Sequence, residues 1–257
     1  MKNFFQIMLF LVFVFCIQLL LQNVVLAAHY VITETSTTAH QTFQNYDETE
    51  NGGVFYVDTD GKLTISSATF INNKTTKNGG VMYNNDSVIE ITDGVIFSFN
   101  TAGNAGGAIY NNNSTLNLVS TGKIEFTGNI ANNISNAIHD IGGIINLSAS
   151  ENAKIIFNDR ITSENNSSIL NINQSTTTLN AIEKIVLNED MQGYTGQVNL
   201  YKGTVQIGQY GTWFAGNTYV DNATIDMANF VLQEHNFNTL QINKNLNLFV
   251  NTDLANK

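Results

Sequence analysis

Few residues of this chain have the types and spacing that support catalysis. Cleavage of a polysaccharide on a β-sheet scaffold needs two carboxylates about 5–10 Å apart, or calcium with a basic residue that accepts a proton. Arg160, the only arginine, lies beside Asp159 and supplies the sole candidate pair. We expect these two side chains to form an ion pair on the outer face, and we predict no catalytic residues.

Patterns that bind metals are incomplete as well. Asp58, Asp60 and Gly61 resemble part of a calcium loop, but the late glutamate that completes such a loop is missing, so a plain turn is expected. His139 has no cysteine or histidine at the spacing of a zinc site, and it occupies the place of a repeated tyrosine. We therefore predict no metal and no other cofactor.

Two motifs recur in step with each other. A Gly-Gly pair followed by an apolar dipeptide and tyrosine returns every 27 residues, and Phe-x-x-Asn returns after 27 and then 29 residues. A fixed period of this length predicts stacked units. The predicted fold is an all-β, right-handed parallel β-helix (solenoid), preceded by an N-terminal signal helix. The repeated residues are Gly52, Gly53, Tyr56, Phe70, Asn73, Gly79, Gly80, Tyr83, Phe97, Asn100, Gly106, Gly107, Tyr110, Phe126 and Asn129.

The repeated residues have expected structural roles. Successive coils of a β-helix lie about 4.8 Å apart, so equivalent side chains form ladders. We expect an interior phenylalanine stack, a second stack of tyrosines that His139 continues, and an asparagine ladder bonded through side-chain amides at a turn. The Gly-Gly pairs should form a corner where a Cβ would clash or where φ must be positive.

The repeats divide the chain into regions. Residues 52–78, 79–105 and 106–134 should be three coils with three strands each, and a degenerate coil follows, in which Arg160 replaces the asparagine of the motif. Residues 28–51 are interpreted as a cap or linker, 52–160 as the repeat coils, and 161–257 as continuing, irregular β-helix. Strands are predicted in this last region at 169–172, 185–187, 198–200, 204–207, 224–227, 240–242 and 246–249.

Composition supports an exported sheet protein. Residues 1–27 resemble a signal peptide, with Lys2, a long apolar run and a small-x-small cleavage site before Ala28. An uncleaved membrane anchor is the alternative, whereas the mature part should not span a membrane. Proline is absent, as suits a chain that is nearly all sheet. Acidic residues outnumber basic ones by 21 to 11, which argues against nucleic acid and anionic lipid as partners.

The two repeated motifs together resemble the polymorphic outer membrane protein repeat. That family consists of autotransporter-type surface proteins of Gram-negative bacteria with β-helical adhesin passengers. The match is good over 52–134 and poor over 135–160. A Tyr-Thr-Gly at 194–196, followed by Gly-Thr-Val-Gln-Ile-Gly at 203–208, is similar to the autotransporter passenger repeat. The chain departs from the family because it shows no strand pattern of a membrane barrel.

The resemblance implies a function at a bacterial surface. We expect an exported adhesin or passenger at the cell surface or outside the cell, which binds a host or neighbouring-cell protein or glycan. A missing C-terminal outer-membrane barrel is a further partner, and a fragment, a truncated gene and a protein held by other means all stay open. The alternatives from other classes are a β-helix polysaccharide hydrolase or lyase and a structural surface-layer component.

Overall fold

The computed structural model describes residues 29–150, 152–172, 184–227 and 239–250. These residues contain 29 strands and no helix, and nearly all strand pairs are parallel. The predicted all-β parallel solenoid is therefore confirmed. The predicted signal helix and its cleavage site lie outside the described residues. No helix among those described has the length and hydropathy needed to cross a membrane.

The strands form four sheets, named A to D in the order in which the first coil visits them. Sheet A contains β1 (Tyr30–Ile32), β5 (Phe55–Val57), β9 (Met82–Asn85), β13 (Ile109–Asn112), β18 (Ile138–Ile141) and β21 (Ile161–Ser163). Sheet B contains β2 (Thr35–Ala39), β6 (Lys62–Ser66), β10 (Val88–Ile91), β14 (Thr115–Ser120), β19 (Ile144–Ala149), β22 (Ile169–Ile172), β24 (Gln197–Leu200), β26 (Thr218–Val220) and β28 (Leu240–Ile242).

Sheet C contains β3 (Thr42–Gln44), β7 (Thr69–Ile71), β11 (Val95–Ser98), β15 (Lys123–Thr127), β20 (Lys154–Phe157), β23 (Lys184–Leu187), β25 (Gly203–Ile207), β27 (Ala223–Met227) and β29 (Leu246–Val250). Sheet D is short and contains β4 (Asp47–Glu48), β8 (Lys74–Thr75), β12 (Thr101–Ala102), β16 (Ile130–Ala131) and β17 (Ile134–Ser135). The pairing of β16 with β17 is the antiparallel exception among the described strands.

Each early coil has four strands, one more than the sequence pattern predicts. The additional strand has only two residues, as in Thr101–Ala102, and is too short to show an alternation of apolar residues. Residues 30–48, interpreted as a cap or linker, form the four strands of the first coil, and these pair with the second coil strand by strand.

The cross-section narrows in two steps, after the fourth coil and after the sixth. Sheet D ends at Ile134–Ser135 and sheet A at Ile161–Ser163, whereas sheets B and C continue with two strands per coil. The seven strands predicted beyond residue 161 are all present, and β21 and β26 are additional. The buried rings of Tyr194, Trp213 and Phe214 pack edge to face inside this narrower part.

Alternation along each strand separates the core from the surface. In β6 the side chains of Leu63 and Ile65 are fully buried, whereas the residues between and beside them are exposed or half-buried. Phe70, Phe97, Phe126 and Phe157 stack through the interior with ring centroids 4.6–4.9 Å apart, and none of the four is exposed. Burial of such a ring contributes about 2–3 kcal/mol, so this column is a main source of stability.

Candidate binding surface

The tyrosines form a ladder on the outside of sheet A. Ring centroids lie 5.2 Å apart between Tyr56 and Tyr83, 5.1 Å between Tyr83 and Tyr110, and 5.4 Å between Tyr110 and His139. The rings point outward because their strand neighbours point inward, and the rings are half-buried. Burial raises the pKa of the Tyr110 hydroxyl to about 12, so it stays protonated at physiological pH.

Stacking limits what this tyrosine ladder can bind. Each ring uses its faces on the rings above and below, so solvent meets ring edges and hydroxyl groups. A flat sugar ring or base would need a free aromatic face, which the interior of the ladder does not offer. The ladder is therefore suited to hydrogen bonding along its edge.

His139 is held in place as the continuation of the ladder. Its Nδ1 lies 2.8 Å from Thr162 Oγ1, and its ring stacks on Tyr110. Burial lowers the pKa of the imidazole, although Glu164 acts in the opposite direction, so the neutral form is favoured at pH 7. These contacts account for the residue without a catalytic role.

The predicted asparagine ladder lies inside the solenoid, between sheets C and D. The Nδ2 atom of Asn73 donates to Asn100 Oδ1 at 3.0 Å, and Asn100 donates likewise to Asn129 at 2.8 Å. Each amide also donates to a backbone carbonyl of the preceding coil, as Asn100 does to Phe70 at 3.0 Å. All three side chains are fully buried, so the polar groups are paired as burial requires.

Asp159, and not Arg160, ends this ladder. The predicted ion pair between the two residues is wrong, because Asp159 is buried and accepts hydrogen bonds from Gly128 N, Asn129 N and Asn129 Nδ2 at 2.7–2.9 Å. The guanidinium of Arg160 instead lies near Glu189 and Asp190, with N–O distances of 3.9 and 3.7 Å. Asp159 is thus unavailable as a catalytic partner of Arg160.

A second interior amide ladder was missed by the sequence analysis. Asn84 Nδ2 donates to Asn111 Oδ1 at 2.7 Å, and Asn111 Nδ2 donates to Asp140 Oδ1 at 2.6 Å. The signal for it was the Tyr-Asn-Asn sequence at 83–85 and 110–112, again 27 residues apart. Asp140 is fully buried, its Oδ2 has no hydrogen-bond donor among the described residues, and burial raises its pKa.

The two glycines of each repeated pair have different structural roles. Gly79 adopts φ = +69°, which disfavours any residue with a Cβ. Gly80 has an ordinary φ, but a Cβ there would lie far inside van der Waals distance of the Gly107 carbonyl oxygen in the next coil. The pair therefore combines a left-handed corner with a close approach between coils, as expected for these motifs.

The turn at 58–61 lies at one end of a shallow groove along the corner between sheets A and B. Asp60, Asp86 and Asn113 stack there with φ between 46° and 65°, and they line a cavity of about 370 Å³. Lys62 at its rim pairs with Glu90 at 3.2 Å. No group of three histidine, cysteine or acidic side chains that could hold a metal occurs among the described residues. The groove is a surface of stacked turns, and most of the residues that line it are polar.

The later motif also has structural roles. Tyr194 is buried against Phe214, and a Cβ on Gly196 would collide with the Ser168 carbonyl oxygen of the preceding coil. Gly203 adopts φ = +86° at the start of β25.

No family model, curated protein or solved structure matches the chain. The resemblance to autotransporter passengers therefore rests on the motifs themselves.

Proposed function

We propose that the chain is an exported, right-handed parallel β-helix that acts as an adhesin-like binding rod outside the cell. The observation that carries this proposal is that the repeats separate the residues that stack the coils from the residues that face solvent. The repeated phenylalanines, asparagines and glycines stack the coils on one another, whereas sheets B and C present long, regular outer surfaces. A stiff scaffold with periodic outer rows is suited to binding extended partners.

Export is supported by the leader and by the way in which the solenoid is stabilised. The signal pattern at 1–27 contains the only cysteine, Cys16, so the mature chain needs no disulfide. The stacked rings and amide ladders provide stability that does not depend on redox conditions. The resemblance to surface passengers supports a location at the exterior of a Gram-negative cell.

The enzyme alternative is weaker because its one candidate pair is separated. Polysaccharide cleavage needs carboxylates that reach a substrate. Asp159 instead has its carboxylate saturated by donors in the interior, and Arg160 pairs with Glu189 and Asp190. Asp60 and Asp86 in the groove belong to the turn repeat, and their places in the stack are explained by backbone conformation.

Binding to cells tests the proposal directly. Fluorescently labelled mature protein, residues 28–257, is incubated with bacterial cells and with epithelial cells and then measured by flow cytometry. Saturable binding that unlabelled protein displaces is expected. Absence of saturable binding to either cell type would overturn the proposal.

Two side measurements separate the alternatives. Release of reducing ends from a panel of polysaccharides would identify an enzyme, and formation of regular two-dimensional arrays by the pure protein would identify a surface-layer component. A reporter joined to residues 1–27 should leave the cytoplasm, whereas the same reporter without the leader should remain there.

A further inference from the structure

Three lysines stack in consecutive strands on the outer face of sheet C. The strand register pairs Lys123 with Lys154 and Lys154 with Lys184. Neighbouring strands lie about 4.8 Å apart, so the three Cα atoms extend over about 10 Å along the solenoid axis. We call Lys123, Lys154 and Lys184 the lysine column.

The charges of the lysine column are incompletely neutralised. Lys123 pairs with Glu125 at 2.8 Å, but Lys154 and Lys184 form no ion pair with any described residue. Like charges in adjacent positions repel one another and destabilise a sheet. The nearest acidic residues in sequence, Glu151 and Glu183, lie outside the described residues.

Other lysines on the described surface behave differently. Lys62, Lys74, Lys77 and Lys244 each pair with an acidic side chain of a neighbouring coil, so their charges are balanced within the protein. The chain as a whole carries a net charge of −10. An unbalanced column of positive charge in such a protein favours an external anion at that place.

The surroundings of the column restrict the kind of anion. Ile156 and Val186 lie one outward position further along the same strands and are half-buried, which gives Lys154 and Lys184 an apolar flank, whereas Glu125 holds this position beside Lys123. The surface is a flat sheet face, so it fits an extended chain better than a compact ligand. Sugar rings present C–H faces that can lie along this flank, whereas the phosphate groups that nucleic acid and lipid surfaces present do not.

We propose that the lysine column is a binding site for an acidic polysaccharide, with carboxylate or sulfate groups that lie over Lys154 and Lys184. The sugar rings pack their less polar faces against Ile156 and Val186. This inference rests on the proposed binding function, because it names the class of partner that the rod takes. The polysaccharide runs along the solenoid axis, so that successive anionic groups meet successive strands.

Direct binding to purified polymers tests the site. Polygalacturonate, dextran sulfate and neutral dextran are immobilised, and binding of the full mature protein is measured by biolayer interferometry over a range of salt concentrations. We expect binding to at least one of the acidic polymers and none to dextran. The double variant Lys154→Gln/Lys184→Gln should bind at least tenfold more weakly and show a shallower salt dependence.

A matched variant controls for net charge. Lys74→Gln/Lys77→Gln also removes two positive charges, but both residues lie away from the column and have ion-pair partners. Its affinity should stay within about twofold of the wild type, and thermal unfolding should show that both variants are folded. Equal losses in the two variants, or binding to neither acidic polymer, would overturn the site.

Further arms distinguish this inference from the proposed function. Oligothymidylate and anionic phosphatidylserine vesicles serve as alternative polyanions, and preferred binding to either through the column contradicts the polysaccharide assignment. If the protein binds cells equally well with and without the column lysines, the binding function stands and the site is wrong. If the protein binds no cell but binds acidic polymer through the column, the site stands and the adhesin role is wrong.

Discussion

The side-chain amide of Asn129 donates a hydrogen bond to the carboxylate of Asp159 at 2.7 Å, and this bond ends the longer interior ladder. Asn111 donates to Asp140 in the same way at 2.6 Å, and this bond ends the other interior ladder. Both ladders donate in one direction along the axis, so their last member needs only to accept. A carboxylate is an acceptor without donors, which explains why aspartate replaces asparagine at both ends.

The substitution Asp159→Asn should destabilise the protein. Both oxygens of Asp159 accept backbone or side-chain donors, so an amide NH₂ in either position would face another donor. We expect a loss of about 1–3 kcal/mol in the free energy of unfolding. Urea denaturation followed by circular dichroism measures it, and an unchanged midpoint would contradict the assigned hydrogen bonds.

The substitution Asp140→Asn should have the opposite effect at neutral pH. Oδ1 keeps its bond from Asn111, whereas no donor among the described residues reaches Oδ2 in hydrogen-bonding geometry. Ser168 and Gly143 lie near the carboxylate and act to lower its pKa, but burial raises the pKa by more. Removing a buried charge should therefore stabilise the fold by about 1 kcal/mol at pH 7. Thermal unfolding of the two aspartate variants side by side checks the contrast in sign.

The gain from Asp140→Asn should depend on pH. Burial raises the pKa of Asp140, so the folded protein binds this proton more tightly than the unfolded chain does. The stability from this group is then highest below the unfolded pKa of about 4 and declines as pH rises through the folded pKa. The advantage of the variant should shrink as pH falls toward 4, and unfolding curves from pH 4 to 8 measure it. A constant difference would refute the raised pKa.

Gly80→Ala should disrupt the stacking of coils. The added methyl group would collide with the carbonyl oxygen of Gly107, and the backbones on both sides cannot give way cheaply. We expect a loss of more than about 3 kcal/mol. Gly94→Ala is the control, because Gly94 also has a positive φ of +69° but the added Cβ would lie 3.4 Å from its nearest neighbouring atom. Only the conformational cost of about 1–2 kcal/mol therefore applies to this variant. Similar losses in both variants would mean that close approach does not explain the pair.

Phe97→Ala should cost more than Tyr83→Ala. Phe97 is fully buried between Phe70 and Phe126, and its removal leaves a cavity worth about 3–5 kcal/mol. Tyr83 stacks on the outside and is half-buried, so water can replace part of its contacts. Hydrogen exchange of the surrounding strands should show wider loss of protection in the phenylalanine variant, and the reverse order would place the core on the wrong side of the sheet.

The equal spacing of the early repeats was enough to predict which residues meet. Phe70 and Phe97, like Tyr56 and Tyr83, are 27 residues apart, so a constant coil length aligns both pairs at once. The alternation of apolar residues likewise located the later strands, because burial on one side of a strand has a period of two. The sequence did not show that the tyrosines lie outside, since an aromatic ring is compatible with either face.

Tertiary structure decided the rest wherever coil length varies. From Phe126 to Phe157 the spacing is 31 residues, whereas from Asn129 to Asp159 it is 30, so a turn one residue shorter brings Asp159 and not Arg160 into the ladder. The lysine column has the same origin, with spacings of 31 and 30 residues. Constant spacing sets the register by itself, but in unequal coils the register depends on which residues loop out. That depends on the packing and hydrogen bonding of each whole coil against the next.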